Sequence, residues 1–91
     1  METIIRIGPH TLRRAEERGA NENEIIDVIK NDFPIPAKYE RLGKAKVYDF
    51  KQKRLNKYYE QKRIEVFFIE EKNEIITVTV YVYYGKWEGN R

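Results

Sequence analysis

The chain's single histidine, His10, opens the run H-T-L-R-R-A-E-E-R-G, in which Arg14 and Arg18 follow at steps of four residues and Gly19 closes. On a helix each such step advances about 40°, so with His10 at zero, Arg14 falls at about 40° and Arg18 at about 80°. Arg13 and Glu17 flank this stripe at about 300° and about 340°, while Leu12 at about 200° and Ala15 at about 140° are expected to face a core. One group that titrates near neutral pH thus stands beside cations that cannot lose their charge, an arrangement suited to a phosphate. The alternative is a solvated, charge-rich helix face.

A second basic region follows. Between Lys38 and Arg63 ten Lys and Arg residues face only Glu40, Asp49 and Glu60, a net of +7 within a chain whose total is +3, so the remainder is −4. Tyr39, Tyr48, Tyr58 and Tyr59 are interleaved with these cations. Cations with aromatic rings suit nucleic acid, because Lys and Arg meet phosphates while rings stack on bases. Lys46, Lys51, Lys53, Arg54 and Lys57 are the candidate RNA contacts; a solvated surface hairpin is the other reading.

The elements that must position these groups come from 91 residues, enough for one domain (1–91) near the lower limit for a self-sufficient core. A partner or a homodimer would add buried surface. Cysteine is absent and histidine single, which removes a disulfide framework, a thiolate nucleophile and a His-based zinc cluster. Asp27, Asp32 and Asp49 are scattered rather than spaced as metal ligands, and the five glycines form no phosphate-cradling loop; no metal and no cofactor is expected. The N-terminus does not read as a signal peptide and no run approaches a membrane span, so a cytoplasmic protein without membrane contact is expected.

Residues 1–8 read as a short lead strand or loop broken by Gly8-Pro9. Pro9 suits a helix start and Gly19 a helix stop, giving a first helix over 9–18. Asn21 with Glu24 is a capping box that places a second helix at about 22–31, its Ile25, Ile26, Val28 and Ile29 forming a core stripe. The period then changes to two. Strands are expected over 44–51, 63–70 and 74–84, with a turn at 71–74 and an unassigned polar stretch through about 62. In the last strand Ile76, Val78, Val80 and Val82 alternate with Ile75, Thr77, Thr79, Tyr81 and Tyr83, so one aliphatic face should pack on the helices. The other carries hydroxyls, either as a shallow binding surface or as a solvated sheet face of high β propensity. Residues 85–91 are expected to be a flexible tail, with Trp87 packing back or meeting a partner. The expected class is α+β: two N-terminal helices on one face of a three- to four-stranded, mainly antiparallel sheet.

The run H-T-L-R-R-A-E-E-R-G, the isoleucine helix after it and I-I-T-V-T-V-Y near the end resemble a small domain-of-unknown-function family. That family is grouped with RelE/ParE-like toxins and, more widely, with the barnase, EndoU, colicin and RelE nuclease fold. The resemblance covers about residues 5–84. It implies a RelE-like fold, a metal-independent ribonuclease toxin, RNA (free or ribosome-associated) as substrate, and a cognate antitoxin protein as partner. His10, Arg14 and Arg18 match the family's first helix, and Thr77, Thr79 and Tyr81 its terminal strand, which adds Thr77 and Thr79 to the candidate RNA contacts.

Cleavage without metal would use the RNA 2′-hydroxyl as nucleophile, so the protein supplies a base, an acid and cations. His10 is the candidate base or acid, and Arg14 and Arg18 would neutralise the charge developing on phosphorus. The second proton-transfer group would be Tyr81, a lysine or a glutamate. The alternative is a non-catalytic module, either a ParE-like inhibitor of a protein target or an RNA-binding accessory, in which Lys53, Arg54 and Lys57 carry function. An antitoxin is expected to lay acidic side chains over Arg14, Arg18 and 51–63, with an apolar element against Tyr81, Tyr83 or Trp87.

Overall fold

The computed structural model describes residues 3–31 and 33–87. Five strands and two helices follow in the order β1 (Ile4–Arg6), α1 (Pro9–Arg18), α2 (Glu22–Asn31), β2 (Phe33–Ile35), β3 (Leu42–Arg54), β4 (Lys57–Glu71) and β5 (Glu74–Gly85). The class is α+β. The sheet has five strands rather than three or four, in the order β1-β5-β4-β3-β2. The lead segment read as a strand or loop forms the three-residue β1, while β2, also three residues, is too short to announce itself by alternation; β1 is parallel to β5, and every other pairing is antiparallel.

Local chemistry sets both helices. Gly8 caps α1 with Pro9 in its first turn, and Gly19 ends it at φ 95, where Ala20 N bonds Ala15 O and Gly19 N bonds Glu16 O, a Schellman close. Two residues later the capping box forms in full: Glu24 N donates to Asn21 Oδ1 at 2.9 Å, and Asn21 N donates to Glu24 Oε1 at 3.1 Å. From α1 the core takes Ala15, and from α2 Ile25, Val28 and Ile29; these meet Ile64, Val66 and Phe68 of β4 and Ile75 and Val80 of β5. Thr11, not Leu12, accompanies Ala15 into the interior, and Leu12 is only half-buried.

The polar stretch through residue 62 is not a loop. β3 and β4 extend into a long hairpin that turns through Leu55 and Asn56, both at positive φ (52 and 70). Two successive left-handed residues match the twist of a two-residue hairpin. A bulge lies between Asp49 and Gln52, with Lys51 at φ 51. At the other end, β5 runs through Gly85, and the Trp87 amide donates to Gln61 Oε1 at 2.6 Å, so the tail expected from residue 85 is structured that far. The rest of that expected tail, 88–91, lies outside the described residues, as does Asp32.

A second bulge corrects the faces of β5. Phe67 pairs with Thr79 but Phe68 pairs with Thr77, which leaves Val78 as the extra residue. One extra residue reverses the phase. Ile75 and Thr77 therefore face the helices before the bulge, and Val80, Val82 and Tyr84 do so after it. Thr79, Tyr81 and Tyr83 remain on the opposite, open face. The expected pair of uniform rows, one aliphatic and one hydroxyl, is thus broken at Val78, and Thr77 belongs to the core side.

Candidate functional site

α1 lies along the edge of β5 that β1 leaves unpaired. Thr11 Oγ1 donates to Val78 O at 3.4 Å, and Arg18 Nη1 donates to Val80 O at 2.8 Å. The helical wheel explains why Arg18 leaves the basic stripe: Thr11 sits at about 100° and Ala15 at about 140°, so Arg18 at about 80° borders the buried side. His10 and Arg14 are exposed and have no polar partner among the described residues. His10 and Arg18 are separated by about 12 Å along the helix axis.

Arg18 leads to the open face. Its guanidinium carbon lies 5.6 Å from the Tyr81 ring centroid. Tyr81 in turn is stacked with Tyr83 (6.3 Å, 19°) and edge-on to Phe67 (5.9 Å, 78°). Register places Phe67 opposite Thr79, Glu65 opposite Tyr81 and Arg63 opposite Tyr83 on this same face. Arg63 Nε and Glu65 Oε2 pair at 2.9 Å, cancelling one positive charge within the row. Tyr81 is 40% and Tyr83 46% exposed, so part of each side chain is reachable from solvent. Of the four catalytic candidates, Arg18 and Tyr81 come together, while His10 and Arg14 stand along the helix.

The basic segment divides into two populations. Lys38, Arg41, Lys51, Lys53 and Lys57 are exposed. The other five are engaged by the fold. Lys44 Nζ donates to Ile29 O at 2.7 Å, Arg54 Nη2 to Glu17 O at 3.0 Å and Lys62 Nζ to Gly19 O at 2.8 Å, each a cation on the carbonyl end of a helix. Lys46 Nζ pairs with Asp27 Oδ2 at 2.8 Å, and Arg63 with Glu65. Hydrogen bonds from Lys46, then Tyr48 and Asn31, hold the Asp27 carboxyl at about 2. Arg54 also lies 5.0 Å over the Tyr84 ring. Burial pushes the Tyr84 hydroxyl up, and that hydroxyl donates to Arg18 O at 2.6 Å.

Of the expected RNA contacts, then, Lys51, Lys53 and Lys57 are presented to solvent near the hairpin tip, Thr79 lies on the open face, and Lys46 and Arg54 are bound into the fold. Thr77 is 7% exposed and its Oγ1 accepts the Gly8 amide at 3.3 Å. Phe67 was not among the expected contacts, and Lys38, Tyr39 and Arg41 were counted in the basic, tyrosine-bearing segment without being singled out; with Pro36, Ala37, Thr79 and Tyr81 these four line a cleft of about 270 Å³ at one end of the open face. The available signal was an aromatic residue between cations in a segment bounded by Pro36 and Gly43. Among the described residues no three His, Asp or Glu side chains converge as a metal-ligand set, and no helix is long and apolar enough to cross a membrane. Set against family models, curated proteins and solved structures, the chain matches none.

Proposed function

We propose that this protein binds single-stranded RNA across the open face of its sheet, as a toxin-like module of RelE-like architecture. The observation that carries this reading is the row Phe67–Tyr81–Tyr83, half-exposed and capped by the Arg18 guanidinium. Aromatic faces stack on bases whatever the sequence, and Arg18, whose Nη1 is held by Val80 O, has only its remaining guanidinium N–H groups to offer a phosphate at the edge of the row. Lys51, Lys53 and Lys57 add exposed positive charge that draws a polyanion in a salt-dependent way. An acidic antitoxin-like partner in the cytoplasm would compete for the same cations, Arg14 included.

Metal-independent ribonuclease activity is the second reading, favoured by the meeting of Arg18 and Tyr81 and by the exposed His10. The base would take the 2′-hydroxyl proton as that oxygen attacks phosphorus, and the acid would protonate the departing 5′-oxygen. A single phosphate would have to be reached from positions about 12 Å apart along α1. Binding is therefore the better-supported function.

The test is fluorescence anisotropy with a labelled single-stranded RNA, run beside a gel that scores cleavage. Tyr81→Ala should weaken binding roughly 5- to 150-fold, the range expected for one lost base stack. His10→Ala should leave affinity unchanged. Native affinity in a Tyr81→Ala/Tyr83→Ala variant would remove the sheet face from consideration, and RNA cut by the native protein but not by His10→Ala would promote the ribonuclease.

A further inference from the structure

The connection from β2 to β3, residues 36–41, borders one end of the open face. Its Pro36, Ala37, Lys38, Tyr39 and Arg41 line, with Phe67, Thr79 and Tyr81, an open cleft of about 270 Å³. Pockets for drug-sized ligands run about 300–1,000 Å³, so this one suits a single heterocycle. Its walls are aromatic: Phe67 and Tyr81 meet nearly at right angles (78°), offering a floor and a side for one flat ring. Gly43 makes that floor possible, because a Cβ there would lie 2.8 Å from Phe67 Cε1. The Thr79 hydroxyl has no hydrogen-bond partner among the described residues and is available to a base edge.

The rim is charged with one sign. Lys38 and Arg41 line the cavity, and no carboxylate does. Both belong to a tight turn closed by Arg41 N on Lys38 O at 3.2 Å, with Tyr39 and Glu40 between them at φ 59 and 60. Such a turn ordinarily takes Asn-Gly, and two side chains in the left-handed region carry strain that clusters at ligand-binding segments. Here the strain sets Tyr39, 81% exposed, beside a guanidinium whose carbon is 5.8 Å from its ring centroid. Neither cation is engaged elsewhere by a hydrogen bond or ion pair among the described residues.

We infer that this cavity is a single-nucleotide pocket, taking one unstacked base against Phe67 and Tyr81 with the attached phosphate on Lys38 and Arg41. The inference rests on the RNA-binding reading and gives it a subsite: a strand crossing the Tyr81–Tyr83 row would turn one base into the cavity. A base and its phosphate together fit the combination of aromatic walls and cationic rim better than either part alone.

The full chain is titrated with each of the four ribonucleoside 5′-monophosphates, the matching nucleosides and inorganic phosphate, and followed by 15N–1H spectra. Saturable shifts are expected in 37–41, 67 and 79–81, strongest with a monophosphate. Lys38→Ala/Arg41→Ala should weaken the monophosphate about tenfold, as for lost hydrogen bonds to a charged group, and leave the nucleoside unchanged. Phe67→Ala should weaken both; because it also removes packing, Gly43→Ala serves as a second variant that displaces the same ring. Shifts confined to the 51–57 hairpin tip, or equal binding of inorganic phosphate and monophosphate, overturn the pocket. A labelled RNA that binds through Tyr81 while no mononucleotide perturbs the 36–41 turn would overturn the pocket and spare the RNA-binding reading. Failure of both RNA and mononucleotide would end both.

Discussion

Lys62 belongs to the most basic part of the chain, yet the structure gives it an internal task, and replacing it tests that assignment. The residue is 8% exposed. Its Nζ donates to Gly19 O at 2.8 Å and reaches Glu24 Oε1 at 3.2 Å and Oε2 at 3.0 Å. Glu24 Oε1 also accepts the Asn21 amide, so one ammonium ties the carbonyl end of α1 to the capping box of α2. Hydrogen bonds to charged groups contribute about 1.5–3 kcal/mol each, and breaking a buried pair costs about 3–5 kcal/mol. Glu24's side chain is 20% exposed and keeps its bond from Asn21, which places Lys62→Met toward the lower end, at about 3 kcal/mol. For a domain of this size that is a fall in Tm of about 12–24 °C. Methionine keeps the aliphatic stem, so the loss reports on the ammonium rather than on packing. Urea unfolding should show a lower midpoint at constant slope, and a cycle with Glu24→Gln should give a coupling of about 1–2 kcal/mol. An unfolding free energy within about 0.5 kcal/mol of the native protein's, or strict additivity in the cycle, would refute the assignment.

Three further outcomes follow from single contacts. Asp27 is held at about 2 in the fold against 3.8 for the free side chain, so its contribution is complete above that higher value and is lost as pH falls toward 2. Asp27→Asn should flatten this acid limb in a series of urea midpoints. A Cβ at Gly19 would collide with the Tyr84 hydroxyl while the backbone sits at φ 95. Gly19→Ala should therefore destabilise by more than about 1 kcal/mol, and part of that loss should disappear in a Tyr84→Phe background. Thr77→Val, close in shape, removes the acceptor of the Gly8 amide and should lower stability by about 1 kcal/mol, read by thermal melting.

Elements set by their immediate neighbours were legible in the sequence. Pro9, Gly19 and the Asn21–Glu24 box mark helix boundaries through bonds that span three to five residues, and those boundaries agree with the structure. The last strand was legible as a strand but not in its faces. Nothing in I-I-T-V-T-V-Y marks Val78 as the extra residue, because a bulge is decided by the partner strand, where Phe67 and Phe68 must both keep their places. The 55–56 turn was hidden for a related reason: Leu55 carries no turn signal, and the long hairpin rather than local preference holds it at φ 52.

The candidate site was half legible for a reason rooted in charge. A sequence shows where cations are, not which carbonyls they will meet. Each helix here ends near the sheet, and its last carbonyls have no partner within the helix. Small residues cannot supply donors across the gap, but Lys and Arg stems can cover apolar surface and deliver a charge at the tip. Lys44 serves Ile29 at the end of α2, while Arg54 and Lys62 serve Glu17 and Gly19 at the end of α1. A segment of net +7 thereby becomes in part the polar edge of the core, and the charge left for a ligand falls to the hairpin tip and the 36–41 turn. Arg18 is the one stripe residue whose wheel position carries it round the sheet edge, and it brings its charge to Tyr81. A basic pattern read along the chain therefore overstates the surface available to phosphate, and the geometry of helix ends tells which cations remain.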